Sequence, residues 1–416
     1  MDIVVVGAGL AGVTAAWELA KAGHAVTVVE RHARPASETS FANAGLVAPG
    51  HAFTWASPKA PRVLLRSLFR DDQALRLKLR LDPEMWAWCW KFLRNCTSEK
   101  ARINTGRKVR LCLYSQHVLH EILAESGVEC HYQKGGLLYL HRSQTALDTA
   151  AANMRILAEN GCDLRVLDRD AAAAIDPALA PVKAKIAGAI FAPNDEGGDS
   201  AAFTRGLAER CQARGVVFKF GTAVTRFEAE DGRIARLVTA DGDLRADAYV
   251  IAAGNEAARL ARPLGVRLPI YPIKGYSLTV PIEAGHAPPT HGGVDEHYLF
   301  AYCRLGDKLR LTATAEFTGY DTTHKPGDFR VMLMAARDLF PNGAAYDRPS
   351  YWACLRPMTP EGTPIVGRTP YPNLFLDVGL GHMGWTMCSG AARLLMQIVD
   401  GRKTDIDMTG LTLKGY

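Results

Sequence analysis

Two short apolar runs near the start of the chain enclose a segment with helical periodicity. Residues 3–6 read Ile-Val-Val-Val and residues 26–29 read Val-Thr-Val-Val, and short β-branched runs of this kind are typical of buried strands. Between them, apolar side chains recur at near-helical spacing until Gly23, at Leu10, Val13, Ala16, Trp17 and Ala20. The pattern therefore predicts a strand, a helix and a second strand.

A glycine-rich turn joins the first predicted strand to the helix, and the second strand ends at an acidic residue, Glu30. The turn reads Gly7-Ala8-Gly9-Leu10-Ala11-Gly12. Gly7 allows a tight turn, Gly9 leaves room for a pyrophosphate and Gly12 lets the helix pack closely on the strand. The helix N-terminus offers amides to phosphates, and the Glu30 carboxylate can accept hydrogen bonds from ribose. The unit predicts a dinucleotide-binding site, for either NAD or FAD.

Composition narrows the class of protein without identifying it. The chain has 416 residues, 48% of them hydrophobic, and a net charge of +6 spread along its length, which indicates a globular protein and disfavours nucleic acid as a partner. Its nine cysteines form no CxxC pair, so we expect reduced thiols and a cytoplasmic location. No apolar run has the length of a membrane span, and we expect no targeting signal. We interpret His117 and His120 as exposed helix residues and predict no metal site.

Two neighbouring segments have compositions compatible with a surface role. Residues 62–80 carry five Arg and one Lys among Leu and Phe. A solvated helical face is the preferred interpretation, and peripheral contact with the inner face of a membrane is the alternative. Trp86, Trp88 and Trp90 recur at spacing two, which wraps them around a helix axis. We expect one side of this helix in the core and the other at a partner, a membrane interface or a lid.

Four blocks of the sequence resemble the D-amino-acid dehydrogenase family, within the superfamily of D-amino-acid, glycine and sarcosine oxidases. They are the Ser-Phe-Ala-Asn-Ala-Gly run at 40–45, the Lys-Gly-Tyr-Ser-Leu strand at 274–278, the Leu-Arg-Pro-Met-Thr-Pro-Glu-Gly run at 355–362 and the strand leading into Gly-His-Met-Gly-Trp-Thr-Met at 373–387. The resemblance extends over nearly the whole chain. The family's glycine loop has a Gly-His-Gly order, whereas this chain has Gly379-Leu380-Gly381-His382.

The resemblance implies an α/β fold with FAD as cofactor, because the later blocks match segments that cover a flavin. We predict a doubly wound, Rossmann-type FAD-binding domain from residues 1–60, 191–257 and 354–416. A substrate domain with a mixed β-sheet plus helices would be inserted as residues 61–190 and 258–353. The implied cofactor-binding residues are Gly7, Ala8, Gly9, Leu10, Ala11, Gly12, Glu30, Arg31, Ser40, Asn43, Ala44, Gly45, Val224, Ala253, Gly254, Gly381, His382, Met383, Gly384, Trp385 and Thr386.

The resemblance also implies a reaction, the oxidative deamination of D-amino acids to 2-oxo acids and ammonia. A hydride would pass from the α carbon to flavin N5, and the electrons would then pass to a quinone or another respiratory acceptor. Arginine suits a carboxylate clamp because its planar fork pairs bidentately with a carboxylate. We predict that Arg304 and Arg356 form this clamp and that Tyr276 or Tyr298 adds a hydroxyl.

Several alternatives stay open from the sequence. The chain could be an oxidase of glycine, sarcosine or D-proline type, or a hydroxy-D-proline dehydrogenase. A flavin-binding subunit of a larger electron-transfer complex is the alternative without amine turnover. Cys354 lies near the position at which sarcosine oxidases bond covalently to FAD, although a buried, inert thiol is the preferred interpretation.

Overall fold

We describe the protein from a computed structural model, which places residues 1–67, 75–77 and 80–415. In chain order, the strands are β1 (Asp2–Val6), β2 (Ala25–Glu30), β3 (Leu46–Val47), β4 (Leu75–Leu77), β5 (Leu137–His141), β6 (Arg165–Asp168), β7 (Gly188–Ala192), β8 (Glu196–Gly197), β9 (Val217–Phe220), β10 (Val224–Glu230), β11 (Arg233–Thr239), β12 (Gly242–Leu244), β13 (Ala248–Ile251), β14 (Tyr271–Pro281), β15 (Gly292–Asp295), β16 (Phe300–Leu305), β17 (Lys308–Phe317), β18 (Ser350–Met358), β19 (Ile365–Arg368) and β20 (Leu374–Val378).

The α-helices connect these strands and cover their faces. They are α1 (Leu10–Lys21), α2 (Ala60–Ser67), α3 (Pro83–Leu93), α4 (Ser98–Ser126), α5 (Gln144–Asn153), α6 (Arg155–Glu159), α7 (Arg169–Ile175), α8 (Ser200–Ala213), α9 (Ala257–Ala261), α10 (Arg330–Leu339) and α11 (Gly384–Val399). The predicted strand–helix–strand unit at the start of the chain corresponds to β1, α1 and β2.

The first sheet combines strands from the beginning, middle and end of the chain. Its order is β19-β20-β13-β1-β2-β9, with every pair parallel except β19 and β20. The β13 and β20 side chains are buried along the whole strand, as expected for parallel strands covered on both faces. Helices α1, α4, α8 and α11 pack together on one side. The β10–β12 sheet and α9 share a core cluster with the other side.

The second sheet is mixed and larger. Its order is β18-β14-β17-β16-β15-β5-β7-β6, and β4 lies beside β17. Helices α7 and α10 pack against it, and their apolar side chains share a core cluster with those of the sheet. The α/β architecture with a mixed second sheet is the predicted fold class.

The division of the chain into domains stays a prediction. All described strands except two lie entirely within one of the predicted segments. The first sheet takes strands from each of the three segments predicted for FAD binding. Strands β7 and β18 cross the predicted boundaries at 190 and 353, and both pair wholly within the second sheet.

Helix α3 divides its three tryptophans between the core and the surface. Trp88 is buried, and its indole N–H donates to the Met358 carbonyl at 2.9 Å. Trp86 and Trp90 are 45% and 65% exposed. Of the basic stretch at 62–80, α2 holds the first part, whereas residues 68–74 and 78–79 lie outside the described residues.

Candidate active site

A cavity of about 670 Å³ is lined by residues of both sheets. The first sheet contributes the ends of β1, β2 and β20, the residues directly after β13 and the first turns of α1 and α11, while the second contributes parts of β14, β17 and β18. The predicted cofactor residues that line it are Gly7, Gly9, Leu10, Ala11, Glu30, Arg31, Ser40, Asn43, Ala44, Val224, Ala253, Gly254, Gly381, His382, Met383, Gly384, Trp385 and Thr386. Ala8, Gly12 and Gly45 belong to the same turns without lining the cavity.

The glycine turn after β1 leaves no space for side chains. Gly7 has a φ of 107°, and a Cβ there would lie 2.7 Å from the Ala252 carbonyl oxygen. A Cβ on Gly12 would lie 1.8 Å from the Gly7 carbonyl oxygen. The Ala8 N–H donates to the Glu30 carboxylate at 2.7 Å, which ties the turn to the end of β2. These contacts hold the α1 N-terminus open toward the cavity.

The loop at 37–50 lies across the start of α1. The Ser40 hydroxyl accepts a hydrogen bond from the Leu10 N–H at 2.9 Å. The Asn43 side chain accepts from the Gly45 N–H at 2.9 Å, and its carbonyl accepts from Arg310 at 3.1 Å. The sequence alone did not single out Arg310, because this buried arginine acts on the loop from β17.

The segment before α11 presents a second helix N-terminus to the cavity. A short 3-10 turn at Gly381–Met383 leads into α11, and no side chain caps the helix at Met383. The buried Trp385 indole N–H has no partner among the described residues. Thr386 accepts from the Ala48 N–H at 3.1 Å. The uncapped amides and the positive end of the helix dipole favour negative charge here.

Arg356 is the cation that β18 presents to the cavity. A Cβ on Gly275 of neighbouring β14 would lie 2.4 Å from the Arg356 guanidinium carbon, so this glycine makes the space in which the guanidinium lies. One N–H group donates to the Thr314 carbonyl at 2.7 Å. Arg356 forms no ion pair with any carboxylate of the described chain, and burial lowers its pKa. The guanidinium is therefore suited to an anionic ligand.

The other predicted substrate residues are placed differently. Tyr276 lines the cavity, but its hydroxyl donates to the Glu316 carboxylate. Arg304 is not among the lining residues, and its Nε donates at 3.0 Å to the Gly306 carbonyl within its own hairpin. Tyr298 also lies outside the lining and stacks on the Arg142 guanidinium at 5.3 Å. The structure therefore brings only Arg356 and the Tyr276 ring to the cavity.

His382 and Trp55 form a stacked pair on the cavity wall, with ring centroids 4.7 Å apart. Burial, with the nearby charges of Lys108 and Arg356, lowers the pKa of His382 well below its usual value. His382 is therefore neutral at physiological pH. Behind it, the buried Lys108 ammonium donates to the Phe53 carbonyl at 3.0 Å and lies 3.5 Å from His382 Nε2. Burial lowers the pKa of Lys108 to about 8.

His51 lines the cavity and forms an ion pair with Glu296 that the sequence did not indicate. His51 Nε2 lies 2.7 Å from a Glu296 carboxylate oxygen, and the imidazole stacks on Tyr139 at 4.6 Å. Burial opposes the charge on His51, but the Glu296 carboxylate outweighs it and raises the His51 pKa. His51 follows the loop at 37–50 and Glu296 follows β15, so no local motif joins them.

Cys354 lines the cavity as a buried thiol. Burial raises the pKa of this thiol, which disfavours the thiolate that a covalent bond to a flavin requires. Among the residues placed by the structure, no cluster of three or more His, Cys, Asp or Glu side chains is arranged to hold a metal ion.

The residues at the cavity fit FAD. The glycine turn and the α1 N-terminus line one wall of the cavity. The backbone packs so closely at Gly7 and Gly12 that neither position has room for a Cβ, and a tight turn of this kind at a helix N-terminus admits a diphosphate. Buried polar atoms on the cavity wall, including Trp385 Nε1, Asn255 Oδ1 and both Asp377 oxygens, lack partners among the described residues. Because buried polar groups are nearly always hydrogen-bonded, these atoms indicate a polar ligand.

Comparisons with known proteins agree with this assignment. The model of the family described as FAD dependent oxidoreductase matches residues 2–398. A protein named D-amino acid dehydrogenase 2, from Mesorhizobium japonicum, is 46% identical over 416 residues, which cover 100% of both chains. The D-amino acid dehydrogenase of Paramagnetospirillum magneticum is 44% identical over 100% of this chain and 99% of its own.

A solved structure supports the same fold. Glycine oxidase from Geobacillus kaustophilus superposes with a TM-score of 0.76 over 100% of this chain and 98% of its own, at 22% identity. The superposition shows that the two proteins share a fold. The family model, which matches residues 2–398, shows that the protein belongs to the FAD dependent oxidoreductase family.

Proposed function

We propose that the protein catalyses the FAD-dependent oxidative deamination of D-amino acids. The observation that carries the proposal is Arg356, a partly buried guanidinium at the FAD cavity without an acidic partner in the described chain. The carboxylate of an amino acid would balance the positive charge of this guanidinium. Relatives over 40% identical across the whole chain bear the name D-amino acid dehydrogenase, which supports the D configuration of the substrate.

The chain's own residues would bind and orient the substrate. Arg356 holds the carboxylate in a fixed geometry, because Gly275 and the Thr314 carbonyl fix the guanidinium. Trp55 and the neutral His382 form an apolar wall that keeps water from the reacting carbon. Bound FAD supplies the two-electron acceptor. The oxidised substrate is an imino acid, which water hydrolyses to a 2-oxo acid and ammonia.

The test is an anaerobic titration of the purified holoenzyme with D- and L-amino acids, glycine, sarcosine and cyclic imino acids. Bleaching of the flavin absorbance by D-amino acids, without bleaching by their L-enantiomers, is expected. Bleaching by glycine, sarcosine or cyclic imino acids alone would replace the proposal with one of those amine specificities. No bleaching by any of these compounds would contradict amine turnover and support a subunit that only carries electrons.

We further propose that the electrons pass to a membrane quinone or another respiratory acceptor. Admission of air after the titration separates this proposal from an oxidase. Slow return of colour in air, with fast return on addition of a soluble quinone, is expected. Fast return in air alone would contradict it.

An exposed surface near the cavity supports peripheral contact with a membrane, as a quinone acceptor would require. Helices α2 and α3 share one core cluster and expose Val63, Leu65, Trp86, Trp90 and Leu93. Exposed basic side chains accompany them, at Arg62, Lys91 and Arg94. Aromatic and basic side chains together are typical of helices that lie on anionic lipid. In the described ranges, every helix is too short or too polar to cross a bilayer.

A further inference from the structure

Asp377 is a buried acid on the wall of the cavity that the family resemblance did not single out. It is 1% exposed and lies one residue before the end of β20. Neither of its carboxylate oxygens has a hydrogen-bond partner among the described residues. Burying a carboxyl group without hydrogen-bond partners is unfavourable, so a partner from a ligand would stabilise the folded protein.

The side chain lies at the edge of the sheet where a dinucleotide binds. Alternate β20 residues face opposite sides of the sheet, and Phe375 packs in the cluster that contains α1 and α11. Asp377 is two positions further along and therefore faces the same side. The carboxyl ends of the parallel strands β1, β13 and β20 lie at one edge, which is where such sheets bind nucleotides. The glycine turn after β1 lines the same cavity.

No described cation lies beside Asp377 to balance a negative charge. Strands β13 and β19 and helices α1 and α11 pack against β20. On α11, burial raises the pKa of the Cys388 thiol, and a negative charge on Asp377 raises it further. The other titratable groups on these elements have partners elsewhere: Glu18 with Arg393, Lys21 with Glu125, Tyr249 with the Ala246 N–H and Arg368 with the Ile398 carbonyl. Burial alone raises the pKa of Asp377 to about 8.

We propose that Asp377 binds FAD as a neutral acid and donates a hydrogen bond to an oxygen of its ribityl–diphosphate portion. A protonated carboxyl offers one O–H donor and keeps an acceptor. An ionised carboxylate would instead repel the diphosphate. The proposal concerns the family's cofactor and does not depend on the identity of the amine substrate.

The consequence is a pH dependence of cofactor retention. FAD binds the protonated form, so its affinity is constant while Asp377 is neutral and falls once the group ionises. With a pKa of about 8 in the FAD-free protein, the dissociation constant should rise by about tenfold between pH 7 and pH 9, following linkage.

The test measures release of FAD from the diluted holoenzyme by the fluorescence of free FAD, from pH 6.5 to 9.5. Two variants are compared with the natural protein. Asp377→Asn keeps a neutral donor of the same shape, and its FAD dissociation constant should stay within about threefold of the natural value at pH 7 and should not change with pH. Asp377→Val removes the polar atoms, and its dissociation constant should be about tenfold higher or more throughout.

Stability separates a ligand from a residue that only supports the fold. Asp377→Val removes a buried carboxyl without a partner, so the FAD-free variant should melt at the natural temperature or above it. A lower melting temperature in parallel with weaker FAD binding would contradict the proposal. The proposal would also be overturned if Asp377→Val had the same FAD dissociation constant as the natural protein. It would equally be overturned if FAD binding by Asp377→Asn still depended on pH. Should Asp377→Val fail to fold, the comparison with Asp377→Asn decides alone.

Discussion

Arg356 has five N–H donors, of which the structure engages one nitrogen with the Thr314 carbonyl. Replacing Arg356 by Ala should lower kcat/KM for a D-amino acid by about 100-fold or more, since loss of one partner of a buried charge pair costs about 2–5 kcal/mol. The flavin should stay bound, because the FAD cradle consists of other residues. Steady-state kinetics and the flavin spectrum provide the measurement.

Arg304 provides the matched control for that substitution, since its guanidinium binds the Gly306 carbonyl away from the cavity. Replacing Arg304 by Ala should leave kcat/KM within about twofold. A variant at Arg356 that loses its flavin, or equal effects at both positions, would refute the assignment of the clamp.

Gly275 is the residue whose missing side chain makes room for Arg356. A Cβ there would approach the guanidinium carbon to 2.4 Å, and the guanidinium would have to move. Gly275→Ala should therefore lower kcat/KM in the same direction as Arg356→Ala, since a displacement of about 1 Å can cost about 100-fold in rate. Combined with Arg356→Ala it should add little further loss. Additive losses in the double variant would contradict this coupling.

Lys108 combines full burial with a charge. At pH 7 it is protonated both folded and unfolded, so the whole cost of burying the charge is present. Between its folded pKa of about 8 and its ordinary value of 10.5, the unfolded chain binds the extra proton, and stability rises with pH. Lys108→Met removes the buried charge but also loses the hydrogen bond to the Phe53 carbonyl, which offsets part of the gain in stability. The net effect should be a melting temperature about 2 °C higher at pH 7.

The gain from Lys108→Met should shrink at pH 10, because the natural lysine is then neutral when folded. Thermal unfolding of both proteins at pH 7 and pH 10 checks this. A gain that is equal at the two pH values would show that packing, and not the charge, determines the effect.

The contrast between Arg304 and the glycine turn shows what a sequence can predict at this scale. The turn at 7–12 is local, so its spacing alone places the residues that line the cavity. Arg304 lies three positions after Ala301, which lines the cavity, and side chains at an odd spacing on a strand point to opposite faces. Lys108, His51 and Glu296 come from separate elements, and their meeting depends on packing that no local pattern encodes.

At the scale of elements, helices α1, α4 and α11 are joined by one arginine. Arg393 of α11 donates to both carboxylate oxygens of Glu18 on α1, at 2.9 and 3.1 Å, and also to Glu121 on α4. Glu18 is 1% exposed. Because α1 and α11 both present their N-termini to the cavity, this contact fixes two walls of the FAD site relative to each other.

Replacing Arg393 by Met should destabilise the protein strongly, since it leaves the buried Glu18 carboxylate without its partner. The expected loss is about 3–5 kcal/mol, measured as a lower melting temperature. The double variant Glu18→Gln with Arg393→Met should recover most of that loss, because it removes the uncompensated charge. A double variant no more stable than Arg393→Met would contradict this explanation.

The sequence predicted individual helices and strands better than it predicted which strands pair in each sheet. Apolar periodicity marks β1, α1 and β2. Asp199 directly precedes α8 and caps it by accepting hydrogen bonds from the Ala201 and Ala202 N–H groups. The positions at which strands change sheet were less accessible. Strands β7 and β18 extend across predicted domain boundaries because pairing with distant strands, and not composition, determines where each strand ends.

At the scale of the whole molecule, one surface combines exposed aromatic and basic side chains. Trp90→Ser should reduce binding to vesicles of anionic lipid by about tenfold, since burial of such a side chain contributes about 1.5–3 kcal/mol. Turnover with a soluble dye should not change. Vesicle co-sedimentation provides the measurement, and Met334→Ser, at an exposed position on α10, is the matched control.

Two results would contradict a membrane-facing role for this surface. One is equal vesicle binding by the natural protein and the Trp90→Ser variant. The other is an equal loss in the Met334→Ser control, which would indicate a general effect of surface hydrophobicity.

The FAD cradle joins the first turn of the chain, at Gly7, to the start of its last helix, at Gly384. During synthesis, Gly7 leaves the ribosome long before Gly384. The early β1–α1–β2 unit must therefore wait for β20 and α11 before its glycine turn meets a complete site. A nascent chain that lacks α11 should hold no FAD, so cofactor uptake must follow the synthesis of this helix.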